Sequence, residues 1–213
     1  LHAERPFTAI VGGAKVSDKI LIVENLLNLA DHIIIGGGMA YTFFKALGGH
    51  IGNSLCETER LDTCLEILNK AKTKGVQIHL PTDAIAADRF AADANTQIEP
   101  SNAISEDRMG LDIGPKAIAD FEAVLLQSKT ILWNGPMGVF EMPAFENGTK
   151  SMALAVASAT KNGAFSLIGG GDSAAAVQKF ELSSQVSYVS TGGGALLEYF
   201  EGKVLPGVEA LEA

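Results

Sequence analysis

The chain has 213 residues, of which 47% are hydrophobic and 19% charged, so it can bury a sizeable core and extended disorder is not expected. Its net charge of −9 disfavours broad nucleic-acid binding, which needs a basic surface, but does not exclude an anionic ligand held by a local positive field. No apolar run approaches the ~20 residues of a membrane span. Cys56 and Cys64 lack a CxxC spacing and are expected to be reduced and inert in a cytoplasmic protein.

Short β-rich apolar runs alternate with segments of helical pattern along the chain. The predicted strands are Phe7–Val11, His32–Ile35, Val76–Leu80, Thr130–Trp133, Phe165–Ile168 and Val186–Val189. The predicted helices are Asp18–Leu29, Thr58–Lys74, Pro115–Leu126, Gly148–Thr160, Ser173–Phe180 and Ala195–Phe200. This order predicts an α/β fold with a Rossmann-like parallel sheet of six strands and helices on both faces, in three α/β/α layers. The segment Thr82–Asp112 breaks the alternation and is interpreted as an excursion with a small hairpin.

Glycine-rich turns follow four of the predicted strands. They are Gly12-Gly13, Gly36-Gly37-Gly38, Gly169-Gly170-Gly171 and Gly192-Gly193-Gly194. Glycine tolerates φ > 0 and has no Cβ, so backbone N–H groups in such turns can approach a phosphate at a helix N-terminus. Because ligands of open parallel sheets bind beyond the carboxyl ends of the strands, the pattern indicates a sheet edge that holds a nucleotide or another polyanion.

Two lysines, Lys15 and Lys19, flank the start of the first predicted helix. In one interpretation both are solvated, and Ser17 or Asp18 caps the helix. In the other, a bound phosphate offsets the unfavourable effect of cations at a helix N-terminus, and the lysines neutralise its charge.

Asp172 begins a predicted helix directly after a glycine turn. It is either the N-cap of that helix or a carboxylate that holds Mg²⁺ on nucleotide phosphates, and the two roles can coexist. The segment Gly169–Ala174 also fits the dinucleotide pattern G-x-G-x-x-A, but the acidic residue expected about 20 positions later is missing. No Walker A loop occurs. A dinucleotide-dependent oxidoreductase domain and a non-catalytic interaction domain therefore stay open as alternatives.

The loop Trp133–Glu141 contains a Gly-Pro dipeptide that fixes a tight backbone path. It is either a rigid connection with Trp133 in the core or a nucleoside wall. In the second case, Val139 and Phe140 supply apolar surface and Glu141 accepts hydrogen bonds from ribose hydroxyls.

Together and in this order, the motifs closely resemble those of the phosphoglycerate kinase family. The matching segments are Gly12–Lys19, Ile35–Ala40, Gly110–Pro115, Trp133–Glu141, Gly169–Ser173 and the C-terminal Leu205–Leu211. The resemblance covers the C-terminal, nucleotide-binding half of a two-domain enzyme, so we expect an N-terminal portion to precede Leu1 in the complete protein. Residues 1–213 are expected to form a single nucleotide-binding domain, with a tail over residues 202–213.

The resemblance also implies roles for the matched residues. Those implied to line the adenine slot, to which Tyr41 can contribute, are Gly13, Ala14, Gly37, Gly38 and Leu111. Those implied to contact ribose and phosphates are Glu141, Lys19, Asn134, Gly170, Gly171 and Ser173. Asp172 would hold Mg²⁺. The implied catalytic set comprises Lys15, which would steady the transferred phosphoryl group, Gly170 and, facing the triose phosphate, Gly193.

By the same resemblance, the enzyme moves a phosphoryl group reversibly from 1,3-bisphosphoglycerate to ADP, giving 3-phosphoglycerate and ATP in glycolysis. The triose substrates would bind through the absent N-terminal domain. The chain alone is therefore expected to bind MgADP or MgATP without turnover. We expect a cytoplasmic monomer with neither nucleic acid nor membrane as partner.

Overall fold

A computed structural model describes residues 3–190 of the chain. The strands in this range are β1 (Phe7–Val11), β2 (His32–Ile35), β3 (His50–Ile51), β4 (Gln77–His79), β5 (Asp83–Ala87), β6 (Thr96–Pro100), β7 (Ala103–Ile104), β8 (Met109–Ile113), β9 (Thr130–Asn134), β10 (Phe165–Gly169) and β11 (Tyr188–Val189). The α-helices are α1 (Ile20–Leu26), α2 (Met39–Ala46), α3 (Leu61–Lys74), α4 (Pro115–Leu125), α5 (Asn147–Lys161) and α6 (Gly171–Lys179). Short 3₁₀ helices span Thr58–Arg60, Pro143–Phe145 and Ser183–Gln185.

The main sheet has six strands in the order β11-β10-β9-β1-β2-β4, and every neighbouring pair is parallel. All six predicted strands are confirmed, with bounds that differ by at most two residues. The runs form strands because β-branched and other apolar residues suit a sheet that is covered on both faces.

Alternate residues of the central strands face opposite sides of the sheet. On β1, Ala9 and Val11 pack in a core with buried residues of α1, α2 and α3. Ile10 packs in a second core with α4, α5 and α6. Helices therefore cover both faces, which confirms the predicted three α/β/α layers.

The structure differs from the sequence-based elements in several places. Helix α1 is shorter than the predicted Asp18–Leu29, and no bounds were predicted for α2. The segment Thr82–Asp112 holds more than a hairpin, because β5 pairs antiparallel with both β6 and β8, and β7 pairs with β3. The predicted helix Ala195–Phe200 lies outside the described residues. The single-domain division of residues 1–213 stays a prediction.

The described residues also bear on membrane-spanning helices and on the state of the two cysteines. Within residues 3–190, no helix combines the length and the apolar character needed to cross a membrane. Cys56 and Cys64 are both free thiols, and burial raises the pKa of Cys64 to about 12. Because the thiolate is the reactive form, this shift makes Cys64 a poor nucleophile at neutral pH.

Candidate functional site

Four neighbouring strands of the main sheet end at one edge, where three of the four predicted glycine turns lie. In sheet order these strands are β10, β9, β1 and β2, and their last residues are Gly169, Asn134, Val11 and Ile35. Because the strands are parallel, their carboxyl ends open on the same side. The predicted turn Gly192–Gly194 lies outside the described residues.

Backbone hydrogen bonds join the turns that follow β1, β2 and β9. The N–H of Gly12 donates to the carbonyl of Asn134 at 2.9 Å, and the N–H of Gly37 donates to the carbonyl of Met137 at 3.0 Å. The turns after β1 and β2 are thus each tied to the turn after β9. Their relative positions are set by main-chain contacts, before any ligand binds.

Gly37 shows why glycine is required in this arrangement. Its φ is +70°, in the left-handed region that favours glycine. A Cβ at this position would lie 2.5 Å from the carbonyl oxygen of Gly13. The sequence suggested that the glycines serve ligand approach, and at Gly37 the structure adds a requirement for close packing between turns.

A cavity of about 460 Å³ with a mainly apolar lining lies between these turns and β8. The predicted nucleotide-binding residues that line it are Gly13, Ala14, Gly37, Gly38, Leu111, Glu141 and Asp172. Tyr41 lines it as well. The residues predicted for adenine, ribose and metal therefore meet at one cavity, although their roles stay predictions.

A second group of predicted residues forms a hydrogen-bonded cluster beside Gly13. The Lys19 ammonium group donates to Asn134 Oδ1, and Asn134 Nδ2 donates to the carbonyl of Gly169 at 3.0 Å. Gly170, with φ +90°, packs so closely that an added Cβ would lie 3.0 Å from Asn134 Nδ2. A Cβ on Gly13 would lie 3.8 Å from Lys19 Cε, so this cluster adjoins the cavity.

The starts of α1 and α6 differ from the caps considered from sequence. Gly170 is the N-cap of α6, and Asp172 lies in the first turn without capping it. The N-cap interpretation of Asp172 is therefore wrong. Lys19 is the N-cap of α1 without a side-chain cap, so capping by Ser17 or Asp18 is also wrong. The Ser17 hydroxyl instead donates a hydrogen bond to Glu57 Oε1.

Ser173 is fully buried, with an exposed fraction of 0%. Its hydroxyl accepts a hydrogen bond from the N–H of Gly135 at 2.6 Å. The side chain therefore joins α6 to the turn after β9. Its backbone N–H lies in the first turn of α6, where N–H groups lack an intrahelical acceptor and can bind an anion.

The loop after β9 places Trp133 in the core, as one interpretation expected, and part of it lines the cavity, while its role as a nucleoside wall stays a prediction. Trp133 is buried, and its Nε1–H donates to the carbonyl of Gly135 at 2.8 Å. Val139 lines the cavity, whereas Phe140 is buried and is not among the lining residues. The prediction that Phe140 supplies wall surface is therefore wrong. The Phe140 carbonyl accepts a hydrogen bond from Lys179 Nζ, at the end of α6, at 2.6 Å.

Asp112 is a wall residue that the sequence did not single out. Its side chain is 3% exposed, and it accepts hydrogen bonds from the N–H groups of Ile113 at 2.9 Å and Gly148 at 2.7 Å. Burial raises the pKa of Asp112 to about 7, although these two hydrogen bonds limit the rise. A Cβ on Gly138 would lie 2.2 Å from Asp112 Oδ1, so the loop after β9 packs directly on this carboxyl group.

Tyr41 packs against β8, the strand that also carries Asp112. A Cβ on Gly110 would lie 1.6 Å from the Tyr41 hydroxyl oxygen, so only glycine fits opposite the phenol. Burial, with the nearby charges of Asp112 and Glu99, raises the pKa of Tyr41 well above its ordinary value. Tyr41 is therefore a neutral phenol at the cavity.

Phe90 is a further lining residue that the sequence analysis missed. It is 60% exposed, and it lies in the segment between β5 and β6 rather than after a strand of the main sheet. One signal was present in the sequence, since Phe90 is the sole aromatic residue of Thr82–Asp112. An exposed aromatic ring at a cavity offers a flat apolar face to a ligand.

The fold and the cavity define a class of protein. An open parallel α/β sheet with a ligand-sized cavity beyond the carboxyl ends of its central strands is the arrangement of doubly wound ligand-binding proteins. The family model described as phosphoglycerate kinase matches residues 1–203. The chain belongs to the phosphoglycerate kinase family.

Individual relatives agree with this membership. Phosphoglycerate kinase from Porphyromonas gingivalis is 57% identical over 209 residues, or 98% of this chain, and the one from Chloroherpeton thalassium is 55% identical over 207 residues, or 97%. The structure of phosphoglycerate kinase from Coxiella burnetii has a TM-score of 0.93 and 47% identity over 98% of this chain. These similarities do not support the oxidoreductase alternative.

The chain spans about half the length of these relatives. It covers 50% of the P. gingivalis protein, 52% of the C. thalassium protein and 53% of the C. burnetii chain.

Proposed function

We propose that this chain is the nucleotide-binding half of a phosphoglycerate kinase and that it binds ADP or ATP with Mg²⁺. The observation that carries the proposal is the meeting of the glycine turns after β1 and β2 at one cavity, next to the cluster of Lys19, Asn134 and Gly170. An apolar cavity beside a lysine and the start of a helix matches a ligand with a flat apolar base and a polyphosphate.

The nucleoside would occupy the cavity. Leu111 and Val139 supply apolar walls, and Gly37 and Gly38 leave room for a planar base close to the main chain. The exposed carboxylate of Glu141 can accept hydrogen bonds from ribose hydroxyls. This distribution supports a purine nucleoside whose sugar lies near Glu141.

The phosphates would lie toward Gly13 and the start of α6. There the Lys19 ammonium group, the Asn134 amide and the N–H groups of Gly170, Gly171 and Ser173 supply donors. Lys15 is exposed on the same loop as Lys19, so its flexible stem can follow the transferred phosphoryl group.

Asp172 fits a magnesium ion that is shared with the substrate. Its carboxylate is exposed, and Mg²⁺ is commonly held by one or two carboxylates together with substrate phosphates. Residues 3–190 contain no group of three His, Cys, Asp or Glu side chains that could hold a metal without a substrate. When bound, the ion would neutralise charge on the phosphate oxygens.

The proposed reaction needs positioning and charge neutralisation more than covalent catalysis. A β-phosphate oxygen of ADP forms a bond to the phosphorus of the acyl phosphate. The bond from that phosphorus to the carboxyl oxygen breaks, and 3-phosphoglycerate leaves as the carboxylate. Lys15, Lys19 and the α6 amides would stabilise the charge on the transferred group, and Gly193 would face the triose substrate.

The triose substrates would bind to the other half of the enzyme, in line with the half-length match. We propose a cytoplasmic monomer that works in glycolysis, binds neither nucleic acid nor membrane, and as an isolated 213-residue chain does not turn over. Steady phosphoglycerate kinase activity of the pure chain would contradict the last point.

Titration calorimetry of the chain with MgADP, and separately with NADH, tests the proposal. We expect MgADP to bind and NADH to bind much more weakly. Charge-assisted hydrogen bonds contribute about 1.5–3 kcal/mol, so Lys19→Ala should lower ADP affinity roughly 10–100-fold. Asp172→Asn should weaken MgADP binding while leaving adenosine affinity unchanged.

Two matched variants control for charge alone. Lys161→Ala removes an exposed lysine in the last turn of α5, and Asp62→Asn removes an exposed carboxylate in the first turn of α3. Both should leave MgADP affinity unchanged. Equal losses in the control and the test variants, or tighter binding of NADH than of MgADP, would exclude the proposed site.

A further inference from the structure

The carboxylate of Glu57 binds the loop that carries the two predicted phosphate-binding lysines. Ser17 lies midway between Lys15 and Lys19 in the sequence. Its backbone N–H donates to Glu57 Oε2 at 3.0 Å, and its hydroxyl donates to Glu57 Oε1 at 2.6 Å. One carboxylate therefore accepts two hydrogen bonds from the centre of the lysine loop.

Glu57 is itself anchored to the helical layer. Its N–H donates to Thr42 Oγ1 at 3.1 Å, and Thr42, in α2, is 1% exposed. Burial raises the pKa of Glu57, but the hydrogen bonds from Ser17 and Val16 and the charge of Lys15 outweigh it and leave the pKa below its ordinary value. Glu57 is therefore ionised at neutral pH, as an acceptor of two donors requires.

The rest of the lysine loop is fixed in other ways. At its start, Gly12 and Gly13 donate to carbonyl groups of the turn after β9. In its middle, the Val16 side chain is buried. The N–H of Lys19 then donates to the carbonyl of Val16 at 2.9 Å, which closes a turn around Ser17. The contact with Glu57 acts on this last turn, from which α1 and the Lys19 side chain extend.

We propose that Glu57 is a positioning residue for phosphate binding, since it orients the turn between Lys15 and Lys19 without touching the nucleotide. Glu57 does not line the cavity. The inference rests on the proposed function, because it assigns these lysines to a nucleotide polyphosphate. Its consequence is that Glu57 contributes to the affinity for phosphates but not to the affinity for the nucleoside.

Glu57→Gln is the test variant. A glutamine side chain has one oxygen acceptor. Its NH₂ group cannot accept a hydrogen bond, so either the N–H or the hydroxyl of Ser17 would lose its acceptor. The control is Glu59→Gln, the same change at an exposed residue two positions away. Ser17→Ala is a second, milder variant, because it removes the hydroxyl and leaves the backbone N–H bonded to Glu57.

Affinities for adenosine and for MgADP are measured by calorimetry. We expect Glu57→Gln to weaken MgADP binding about tenfold and Ser17→Ala about threefold, with adenosine affinity unchanged in both, since one lost charge-assisted hydrogen bond sets the scale. Glu59→Gln should bind both ligands like the unchanged chain. Unaltered MgADP affinity in Glu57→Gln, or an equal loss for adenosine and MgADP, would overturn the proposal.

Amide hydrogen exchange gives a readout that does not depend on a ligand. In Glu57→Gln the amide of Ser17 should exchange faster, while amides of the main-sheet strands keep their protection. Unchanged exchange at Ser17 would show that Glu57 does not hold the loop. If instead the unchanged chain binds neither ligand, the proposed function fails, and the exchange result still decides whether Glu57 orders the loop.

Discussion

The carboxyl group of Asp112 lies 2.7 Å from the backbone nitrogen of Gly148, in the first turn of α5. Its other oxygen accepts the N–H of Ile113. A buried carboxylate at a helix N-terminus gains from the macrodipole and from the unpaired N–H groups, but it also loses its hydration. For Asp112 the loss of hydration outweighs this gain, and its pKa is therefore raised to about 7.

This raised pKa has a defined effect on stability. An unfolded aspartate loses its proton near pH 4, whereas Asp112 in the fold keeps it until about pH 7. Between these values the native state binds more protons than the unfolded state, so the contribution of Asp112 to the free energy of unfolding falls as pH rises. The contribution is complete below about pH 4 and is lost above pH 7.

Asp112→Asn tests this relationship. Asparagine cannot accept both N–H groups, so at pH 5 the variant should lose about 1–3 kcal/mol of stability. The difference from the unchanged chain should shrink by pH 8, because the variant lacks the titrating group. Urea unfolding across this pH range measures it, and a difference that is constant or grows with pH would contradict the assigned pKa.

Gly37→Ala should cost more than the left-handed conformation alone explains. Strain in that region costs about 1–2 kcal/mol, and forcing a Cβ to 2.5 Å from the Gly13 oxygen adds about 1–3 kcal/mol. The matched control is Gly75→Ala, which has φ +73° and open space around the added Cβ. Urea unfolding should show the larger loss for Gly37→Ala, and equal losses would argue against close packing of the turns.

Phe90→Ala should weaken nucleotide binding by about 1–2 kcal/mol, or roughly 5–30-fold in affinity, because the base loses an aromatic face. Ile98→Ala is the control, since Ile98 is also 60% exposed and lies on β6 without lining the cavity. Both variants should keep the stability of the unchanged chain. If calorimetry with MgADP gives the same affinity for both variants, Phe90 does not contact the base.

Ser173→Ala should destabilise the chain by about 1–3 kcal/mol, because it leaves the buried N–H of Gly135 without its acceptor. Ser158→Ala, at an exposed position of α5, should have little effect or stabilise slightly. Thermal unfolding distinguishes the two. A neutral Ser173→Ala would mean that the hydroxyl is not needed to join α6 to the loop after β9.

The main sheet and the edge at which its glycine turns lie could be predicted because their signals are local. Each strand is a short apolar run, and parallel strands bring the turns that follow them to one edge. The bounds of helix α2 could not be predicted from hydrophobic periodicity. All its residues from Met39 to Phe44 are buried, so apolar and polar positions do not alternate with a helical period. The three strands of the sheet β6-β5-β8 were not predicted individually, because each of them contains polar residues and so lacks a continuous apolar run.

The supporting contacts of the site could not be predicted, because they join distant parts of the sequence. Glu57 and Ser17 are 40 residues apart, and Asp112 and Gly148 are 36 residues apart. Nothing in the local sequence around either carboxylate distinguishes a buried acceptor from a solvated charge. The predicted roles of the turn residues came from the family resemblance and stay predictions, whereas the residues that hold the turns could be identified only from the structure.

The contact between Lys179 and the Phe140 carbonyl ties the end of α6 to the loop after β9. Asp172 lies in the first turn of this helix and Lys179 at its end, about 10 Å apart at 1.5 Å per residue. A displacement of the helix along its axis would therefore carry Asp172 with it and lengthen or break the Lys179 contact, so this bond couples the position of Asp172 to the loop after β9.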